Sequence, residues 1–217
     1  FPVYWMIKSS ITVNSEMYVA RPSLIAKHYT FENYVDLFTK TEFPRALLNS
    51  LMIAFLTTVC CLLISILGSY AMTRLKYPGR RFFKTSIIFS YLIPTAVLFV
   101  PMYVFVSKLG FYDNKWALLI IYPTTVVPYC CYMLMSYFKA IPYALEEAAL
   151  IDGCTRMKSL RYIITPIALP GIAVVATFAF TMSWNEYLYA MIMTTSPAQQ
   201  TAVVAISSFK YADSAIW

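Results

Sequence analysis

The charged residues of this 217-residue chain are spaced so that four uncharged stretches of membrane-spanning length remain between them. These stretches cover residues 46–73, 85–107, 116–138 and 162–187, the last being uncharged as far as Asn185. Each exceeds the roughly 20 residues that a helix needs to cross a hydrocarbon core. Lipid offers the backbone no hydrogen-bond partners, and the stretches lack the alternation of barrel strands, so they must be helical. The sequence therefore predicts an all-α integral membrane protein.

Composition and charge placement support this class and predict an orientation. Charged residues make up 12% of the chain, against about 25% in an ordinary soluble domain. The cations cluster in the loops after the first and third stretches: Arg74, Lys76, Arg80, Arg81, Lys84, Lys139, Arg156, Lys158 and Arg161. We therefore expect those loops in the cytoplasm and residues 8–45, 108–115 and 195–217 outside. The net charge of +7 follows from this topology, so we predict contact with membrane lipid and no nucleic-acid partner.

Both ends of the sequence have the character of further membrane segments. Residues 1–7 are uncharged and resemble the end of a membrane helix more than a signal peptide. Residues 215–217 begin another apolar segment and end in an interfacial tryptophan. We expect residues 1–217 to form a single transmembrane domain, with about six membrane helices in the full chain and the first and last truncated here.

The residue inventory argues against catalysis within the chain. His28 is the single histidine, so a metal cluster of several histidines cannot form, and a Ser-His-Asp triad would have to use His28. The five cysteines include no C-x-x-C, and small apolar packing is the favoured interpretation. No phosphate-binding G-x-x-x-x-G-K-S/T sequence is present. We predict no catalytic residue, no metal site and no cofactor in this chain, so any ATP and Mg²⁺ would bind to another subunit.

Four prolines lie within the second and third stretches and predict a kinked helix bundle. Pro94 and Pro101 belong to the second stretch, and Pro123 and Pro128 to the third. Each removes a helical hydrogen bond and favours a kink that neighbouring helices must support. Together they indicate a non-straight bundle that contains a cavity.

The fourth stretch ends in the sequence Trp184, Asn185, Glu186 and Tyr187. An amide and a carboxylate near the end of a membrane helix usually face a bundle interior or an aqueous cavity. These groups, with two flat aromatic rings, suit a hydroxyl-rich ligand, and they make this segment the candidate substrate-facing site. An aromatic belt at the membrane interface explains the same residues equally well.

The hydrophilic loop between the last two stretches predicts two short helices joined by a turn. Pro142 suits the first turn of a helix, and Glu146 and Glu147 lie near its positive end. Gly153 can adopt the left-handed conformation that stops this helix. Thr155 can then cap a second helix that leads into the fourth stretch.

This loop, residues 139–161, is predicted to be a docking surface for another protein. An amphipathic elbow on lipid headgroups would carry cations where this loop carries acids. The small alanines let another surface approach closely. The predicted docking residues are Glu146, Glu147, Ala148, Ala149, Leu150, Asp152 and Gly153.

The same loop resembles the E-A-A, three residues, G, nine residues, I-x-L-P motif of permease subunits of binding-protein-dependent ABC importers. The matching residues are Glu147, Ala148, Ala149, Gly153, Ile163 and Pro166, while Thr165 replaces the usual leucine. Further matches to the carbohydrate branch, especially its maltose-permease-G-like half, are Phe31–Tyr34, Asn49–Leu51, Tyr137–Phe138, Ile141–Pro142 and Trp184–Glu186. The resemblance covers nearly the whole chain.

The resemblance implies a kinked polytopic permease bundle in a bacterial cytoplasmic membrane, importing a sugar or oligosaccharide. It implies a second, homologous permease subunit, a dimer of ATPase subunits that bind ATP and Mg²⁺, and an extracytoplasmic solute-binding protein. The loop at 139–161 would couple to the ATPase. Residues 201–214 match the outer loop that can reach toward the binding protein's ligand site in the family.

Other classes remain open on the residues alone. An ion-coupled secondary transporter would need charged or broken-helix sites near the midplane, and the uncharged cores argue against it. A membrane enzyme would need paired carboxylates facing a cavity, whereas the adjacent Glu146 and Glu147 point to different helix faces. An importer for a solute other than a sugar also stays open, because the aromatic residues suit both sugar stacking and membrane interfaces.

Overall fold

A computed structural model of the chain describes residues 1–17, 19 and 23–209, and these residues form helices with no sheet. The first seven helices are α1 Pro2–Ser10, α2 Asn14–Met17, α3 Glu32–Thr39, α4 Phe43–Arg74, α5 Arg80–Leu92, α6 Thr95–Lys108 and α7 Ala117–Ala140. The remainder are α8 Tyr143–Ile151, α9 Arg156–Ser159, a π-helical turn Leu160–Ile164, α10 Thr165–Ile167, α11 Leu169–Trp184, α12 Leu188–Met193 and α13 Ala202–Phe209. The predicted all-α class is confirmed.

Two of these helices, α4 and α7, are long and apolar enough to cross a membrane unbroken. They extend the predicted stretches 46–73 and 116–138 by a few residues. The stretches 85–107 and 162–187 were each expected to form one span, but each contains a sharp bend. The bend between α5 and α6 is 99°, and the bend between the segment 156–167 and α11 is 81°.

Proline placement explains both bends. The residue before Pro94, Ile93, has extended backbone at φ −73° and ψ 122°, because a following proline disfavours the helical conformation. Pro170 lacks an N–H group, and its ring would clash with the carbonyl of Pro166 in a continuous helix. Of the four predicted kink sites, Pro94 alone separates two helices. Pro101, Pro123 and Pro128 lie inside α6 and α7, which continue past them.

The centre of the bundle is formed by α4, α7 and α11. Cys61 of α4, Leu134 of α7 and Val175 of α11 belong to one buried apolar cluster. Close approach of α11 to α7 depends on Gly171, since a Cβ atom there would lie 2.6 Å from the Tyr137 ring. Cys61, Cys130 and Cys131 are buried, in keeping with the predicted apolar packing, whereas Cys154 is partly exposed and Cys60 is exposed.

At the predicted outer end, polar side chains fasten the segment between α12 and α13 to α4. Asn49, buried in α4, donates to the carbonyl oxygens of Ala198 at 3.1 Å and Gln200 at 2.9 Å. Lys115 Nζ donates to the Asn49 side-chain oxygen at 2.8 Å. The outer loop predicted at 195–217 is therefore held against the bundle as far as it is described. Residues 210–217, which include the end of the 201–214 match, lie outside the described residues.

A second fastening joins the loop before α7 to the same segment. The Asp113 carboxylate accepts hydrogen bonds from the backbone N–H of Ser196, at 2.8 Å, and from its hydroxyl. These bonds hold the pKa of Asp113 below its usual value. Protonation of Asp113 at acidic pH therefore weakens this link, because the bonds favour the ionised carboxylate.

The close packing at Gly171 predicts a specific sensitivity to added volume. Gly171→Ala should lower the free energy of unfolding by about 1–3 kcal/mol, since the new methyl group overpacks against Tyr137. The matched control is Gly68→Ala in α4, where the nearest atom to a new Cβ would be at an ordinary 3.6 Å. Thermal unfolding in detergent measures both. Equal unfolding temperatures for the two variants would contradict the packing argument.

The outer fastening predicts local opening when the Asn49 amide is removed. Asn49→Leu should speed amide hydrogen exchange at residues 198–202 by about thirtyfold, because two hydrogen bonds worth about 1 kcal/mol each are lost. Leu48→Ala, which changes an exposed neighbour in the same helix, should leave that exchange unchanged. Hydrogen–deuterium exchange with mass spectrometry resolves the segment. Unaltered exchange in the Asn49 variant would show that other contacts hold it.

Candidate functional site

The loop after α7 folds as its sequence predicts. Pro142 precedes α8, and the helix ends at Gly153 with φ 84°. The N–H of Gly153 bonds to the Leu150 carbonyl at 3.2 Å, and that of Cys154 to the Ala149 carbonyl at 2.9 Å. This is the Schellman arrangement, which satisfies the last carbonyls of a helix. Thr155 caps α9 by accepting the Lys158 N–H at 3.3 Å.

The structure divides the predicted docking residues between two faces of α8. Glu147, Ala148, Asp152 and Gly153 are exposed, and Leu150 is partly exposed. Glu146 and Ala149 face the chain's own bundle, and Glu146 retains 2% of its exposed surface. In this conformation Glu146 is therefore an anchor of α8 and not a surface contact.

Two residues missing from the predicted docking set extend the exposed face. Ile151, at the tip of α8, is 85% exposed, and Met157 of α9 is 61% exposed. Large apolar side chains at such exposure, beside acidic groups, are typical of a protein interaction site. The sequence contained a signal for Ile151, since it directly precedes the helix-ending Asp-Gly pair.

The buried Glu146 carboxylate contacts the end of α4. Tyr70 donates its hydroxyl hydrogen to Glu146 Oε1 at 2.5 Å. Arg156 Nη1 lies 3.6 Å from Oε1, and Arg74 Nε lies 3.9 Å from Oε2. From the sequence, Arg74 was interpreted only as one of the cations that indicate a cytoplasmic loop. Its hydrogen-bond partners could not be predicted, because they are 64 or more residues away along the chain.

A cavity of about 960 Å³ opens between α8 and the end of α4. Its charged lining comprises both acids of α8 together with three cations: Arg74, Lys76 and Arg156. The site therefore combines an exposed face of α8 with a charged cleft behind it.

The four residues ending the fourth stretch do not form one cluster. Glu186 accepts the N–H groups of Tyr189 at 3.1 Å and Ala190 at 3.2 Å, so its carboxylate caps the start of α12. Asn185 is exposed, and its amide donates to the Thr181 carbonyl at 2.9 Å. Trp184 stacks on Phe180 with ring centroids 5.7 Å apart. Tyr187 precedes α12. It packs against a second buried apolar cluster, which includes Ile121 of α7 and Tyr189 of α12.

A polar stripe on α11, which sequence reasoning missed, continues the line of Asn185. Thr177 and Thr181 are exposed, and their hydroxyls donate to the carbonyls four residues earlier at 3.0 and 2.8 Å. The spacing of four residues places both threonines and Asn185 on one face. The signal was present as T-x-x-x-T-x-x-x-N, but the surrounding apolar residues concealed it.

The described residues contain no group of three or more His, Cys, Asp or Glu side chains placed to hold a metal ion. His28 is exposed as predicted, with Nδ1 2.6 Å from Glu16 Oε1. This contact lowers the pKa of Glu16.

Comparison with known proteins agrees with this geometry. Residues 63–216 match the family described as binding-protein-dependent transport system inner membrane component. The chain is 34% identical to the trehalose transport system permease protein SugB of Mycobacterium tuberculosis, over 96% of this chain and 75% of SugB. It is 33% identical to the trehalose/maltose transport system permease protein MalG of Thermococcus litoralis, over 97% of this chain and 76% of MalG.

A solved structure confirms the fold. The crystal structure of a bacterial ABC transporter involved in the import of the acidic polysaccharide alginate matches with a TM-score of 0.85 at 22% identity. The match covers 97% of this chain and 73% of the matched chain in that structure.

The family sets aside the ion-coupled and enzymatic alternatives, and it implies an ATPase and a solute-binding protein as partners. The chain belongs to the family of inner membrane components of binding-protein-dependent transport systems, and it is a permease subunit of an ABC importer.

Proposed function

We propose that this chain forms half of the translocation pathway of an ATP-driven sugar importer in a bacterial cytoplasmic membrane. A second, homologous permease subunit supplies the other half. Two ATPase subunits bind ATP and Mg²⁺ in the cytoplasm, and a solute-binding protein delivers the sugar from outside. This chain carries no cofactor of its own.

The observation that carries the coupling role is the division of α8 into two faces. Its outer face presents Glu147, Ala148, Asp152 and the exposed Ile151, while Glu146 holds its inner face to the bundle. A helix exposed on one side and fastened on the other moves as a rigid body when a partner pushes it. The ATPase therefore docks on the outer face and moves the bundle through α8.

The sugar assignment is supported by the relatives and by the exposed stripe on α11. The two relatives described above are named for trehalose and maltose transport. The hydroxyls of Thr177 and Thr181 and the Asn185 amide can exchange hydrogen bonds with sugar hydroxyls. The adjacent Phe180–Trp184 stack offers a flat aromatic surface of the kind that packs on sugar rings. We assign this face of α11 to the pathway.

Two of the three left-handed glycines among the described residues provide a matched test of the coupling surface. Gly153 and Gly110 have φ values of 84° and 83°, and neither has an atom within 4 Å of a new Cβ. Alanine should therefore cost about 1–2 kcal/mol of backbone strain at both positions. Gly153→Ala should reduce ATPase co-purification or uncouple ATP hydrolysis from uptake, whereas Gly110→Ala should do neither.

The measurement uses the complete importer in proteoliposomes, with uptake of radiolabelled trehalose, maltose and glucose followed beside ATP hydrolysis. ATP-dependent uptake of at least one of these sugars supports the sugar assignment, and uptake of none contradicts it. Equal coupling in the two alanine variants would place the ATPase contact elsewhere on the chain.

The polar stripe predicts a change in sugar handling when one hydroxyl is removed. Thr181→Val keeps the side-chain shape and should raise the half-saturating sugar concentration about five- to tenfold, since one hydrogen bond is worth roughly 1 kcal/mol. The control is Thr58→Val, which removes a buried hydroxyl that likewise bonds to the carbonyl four residues earlier. Concentration-dependent uptake distinguishes them. Identical uptake curves for both variants would remove α11 from the pathway.

A further inference from the structure

We propose that Glu146, Tyr70 and Arg74 form a joint that fixes the coupling helix α8 to α4, so that motion of α8 enters the bundle through α4 and α7. These are positioning residues, because they act on the partner and the pathway through α8. The inference rests on the proposed coupling function and adds the route by which force travels.

Glu146 supplies the α8 side of the joint. Its carboxylate is almost fully buried and accepts the Tyr70 hydroxyl at 2.5 Å. Two guanidinium groups face it, with Arg156 Nη1 at 3.6 Å and Arg74 Nε at 3.9 Å. The Arg74 side chain is as deeply buried as that of Glu146, whereas Arg156 remains half exposed.

Arg74 joins the same point to the end of α7. Its Nη2 donates to the carbonyl oxygens of Phe138 and, at 2.6 Å, of Ile141, which lie where α7 ends. Its guanidinium also lies 4.3 Å above the Tyr143 ring. Tyr143, the first residue of α8, donates its hydroxyl hydrogen to the Thr73 carbonyl of α4 at 2.7 Å. The ends of α4 and α7 and the start of α8 are thus tied together.

Burial makes these contacts restrictive. A buried charge that loses its partner is strongly unfavourable, because the desolvated charge is left without full compensation. Any tilt of α8 against α4 would part Glu146 from Tyr70 and Arg74. The helices α8 and α4 therefore move as one unit.

The other connection from α8 to the bundle is longer and less regular. It passes through the turn at Gly153, the four-residue α9, a π-helical turn over residues 160–164 and the three-residue α10, and it ends in the 81° bend before α11. The π-helical turn and the bend depart from regular α-helical geometry along this path. A push on α8 is consequently transmitted more directly to α4 and α7 than to α11.

The test compares Tyr70→Phe and Glu146→Gln with one matched control and one docking variant. The control, Tyr132→Phe, removes a hydroxyl from a half-exposed tyrosine of α7, and the docking variant, Glu147→Gln, neutralises the neighbouring exposed acid of α8. Tyr70→Phe removes a single oxygen atom, so it keeps the test available where Glu146→Gln lowers expression. All variants are purified as the complete importer.

The first measurement is the distance between spin labels at Leu145, an exposed residue of α8 outside the proposed docking set, and Leu67 of α4, after the five native cysteines have been replaced. Unsubstituted importer should give a narrow distribution that ATP with vanadate leaves unchanged. Tyr70→Phe and Glu146→Gln should broaden it, while the ATPase stays bound and continues to hydrolyse ATP. Tyr132→Phe should match the unsubstituted importer.

The second measurement is labelling of Thr181→Cys by a membrane-impermeant maleimide from the outer side. ATP with vanadate should increase this labelling in the unsubstituted importer. The increase should be at least about tenfold smaller in the two joint variants, as expected when one buried hydrogen bond to a charged group is lost. Tyr132→Phe should keep the full increase.

A narrow distribution of spin-label distances and a normal increase in Thr181→Cys labelling with Tyr70→Phe would contradict the proposed joint. So would loss of the ATPase from both joint variants, because Tyr70 and Glu146 would then act in docking. Failure of the coupling function itself has a different pattern: Glu147→Gln and Gly153→Ala would both retain the ATPase and full ATP-driven labelling.

Discussion

A chain that crosses lipid must satisfy its backbone hydrogen bonds within its own helices, and this constraint governs where the present structure can be irregular. The long helices α4 and α7 remain unbroken, with Pro123 and Pro128 contained inside α7. The two sharp bends occur where Pro94 and Pro170 make a continuous helix unfavourable. Irregular backbone is otherwise concentrated in the predicted cytoplasmic loop and at the predicted outer end.

At both ends of the bundle, side chains take over the hydrogen bonding that regular helices leave incomplete. Arg74 binds carbonyls at the end of α7, and Asn49 binds carbonyls of the outer segment. Each side chain is buried and belongs to α4. The longest helix therefore organises both ends, and it connects the proposed coupling site with the outer face of the protein.

This arrangement separates docking from transmission. The exposed residues of α8 can contact an ATPase, while the adjacent Glu146 is committed to the bundle. Helical geometry makes the separation possible, because neighbouring residues in a helix point about 100° apart. Acidic neighbours in one motif thus serve different mechanical purposes. The polar face of α11 lies beyond the bend that ends this loop, so it is joined to α8 mainly through packing with α4 and α7.

The sequence by itself determined the membrane class, the helical fold, the bounds of α4 and α7 within a few residues, and the cap residues of α8 and α9. These features depend on local chemistry: apolar length, proline and glycine conformations, and short-range capping.

The predicted docking set could not be sorted into buried and exposed members, because the inward face of α8 is defined by Tyr70 and Arg74, more than 70 positions earlier in the chain. The same reason hid the fastening of Asn49 to Ala198. It also hid the capping role of Glu186, since the sequence did not indicate that α12 begins directly after it. Tertiary structure decided these points because long-range burial selects which polar groups must find partners within the chain.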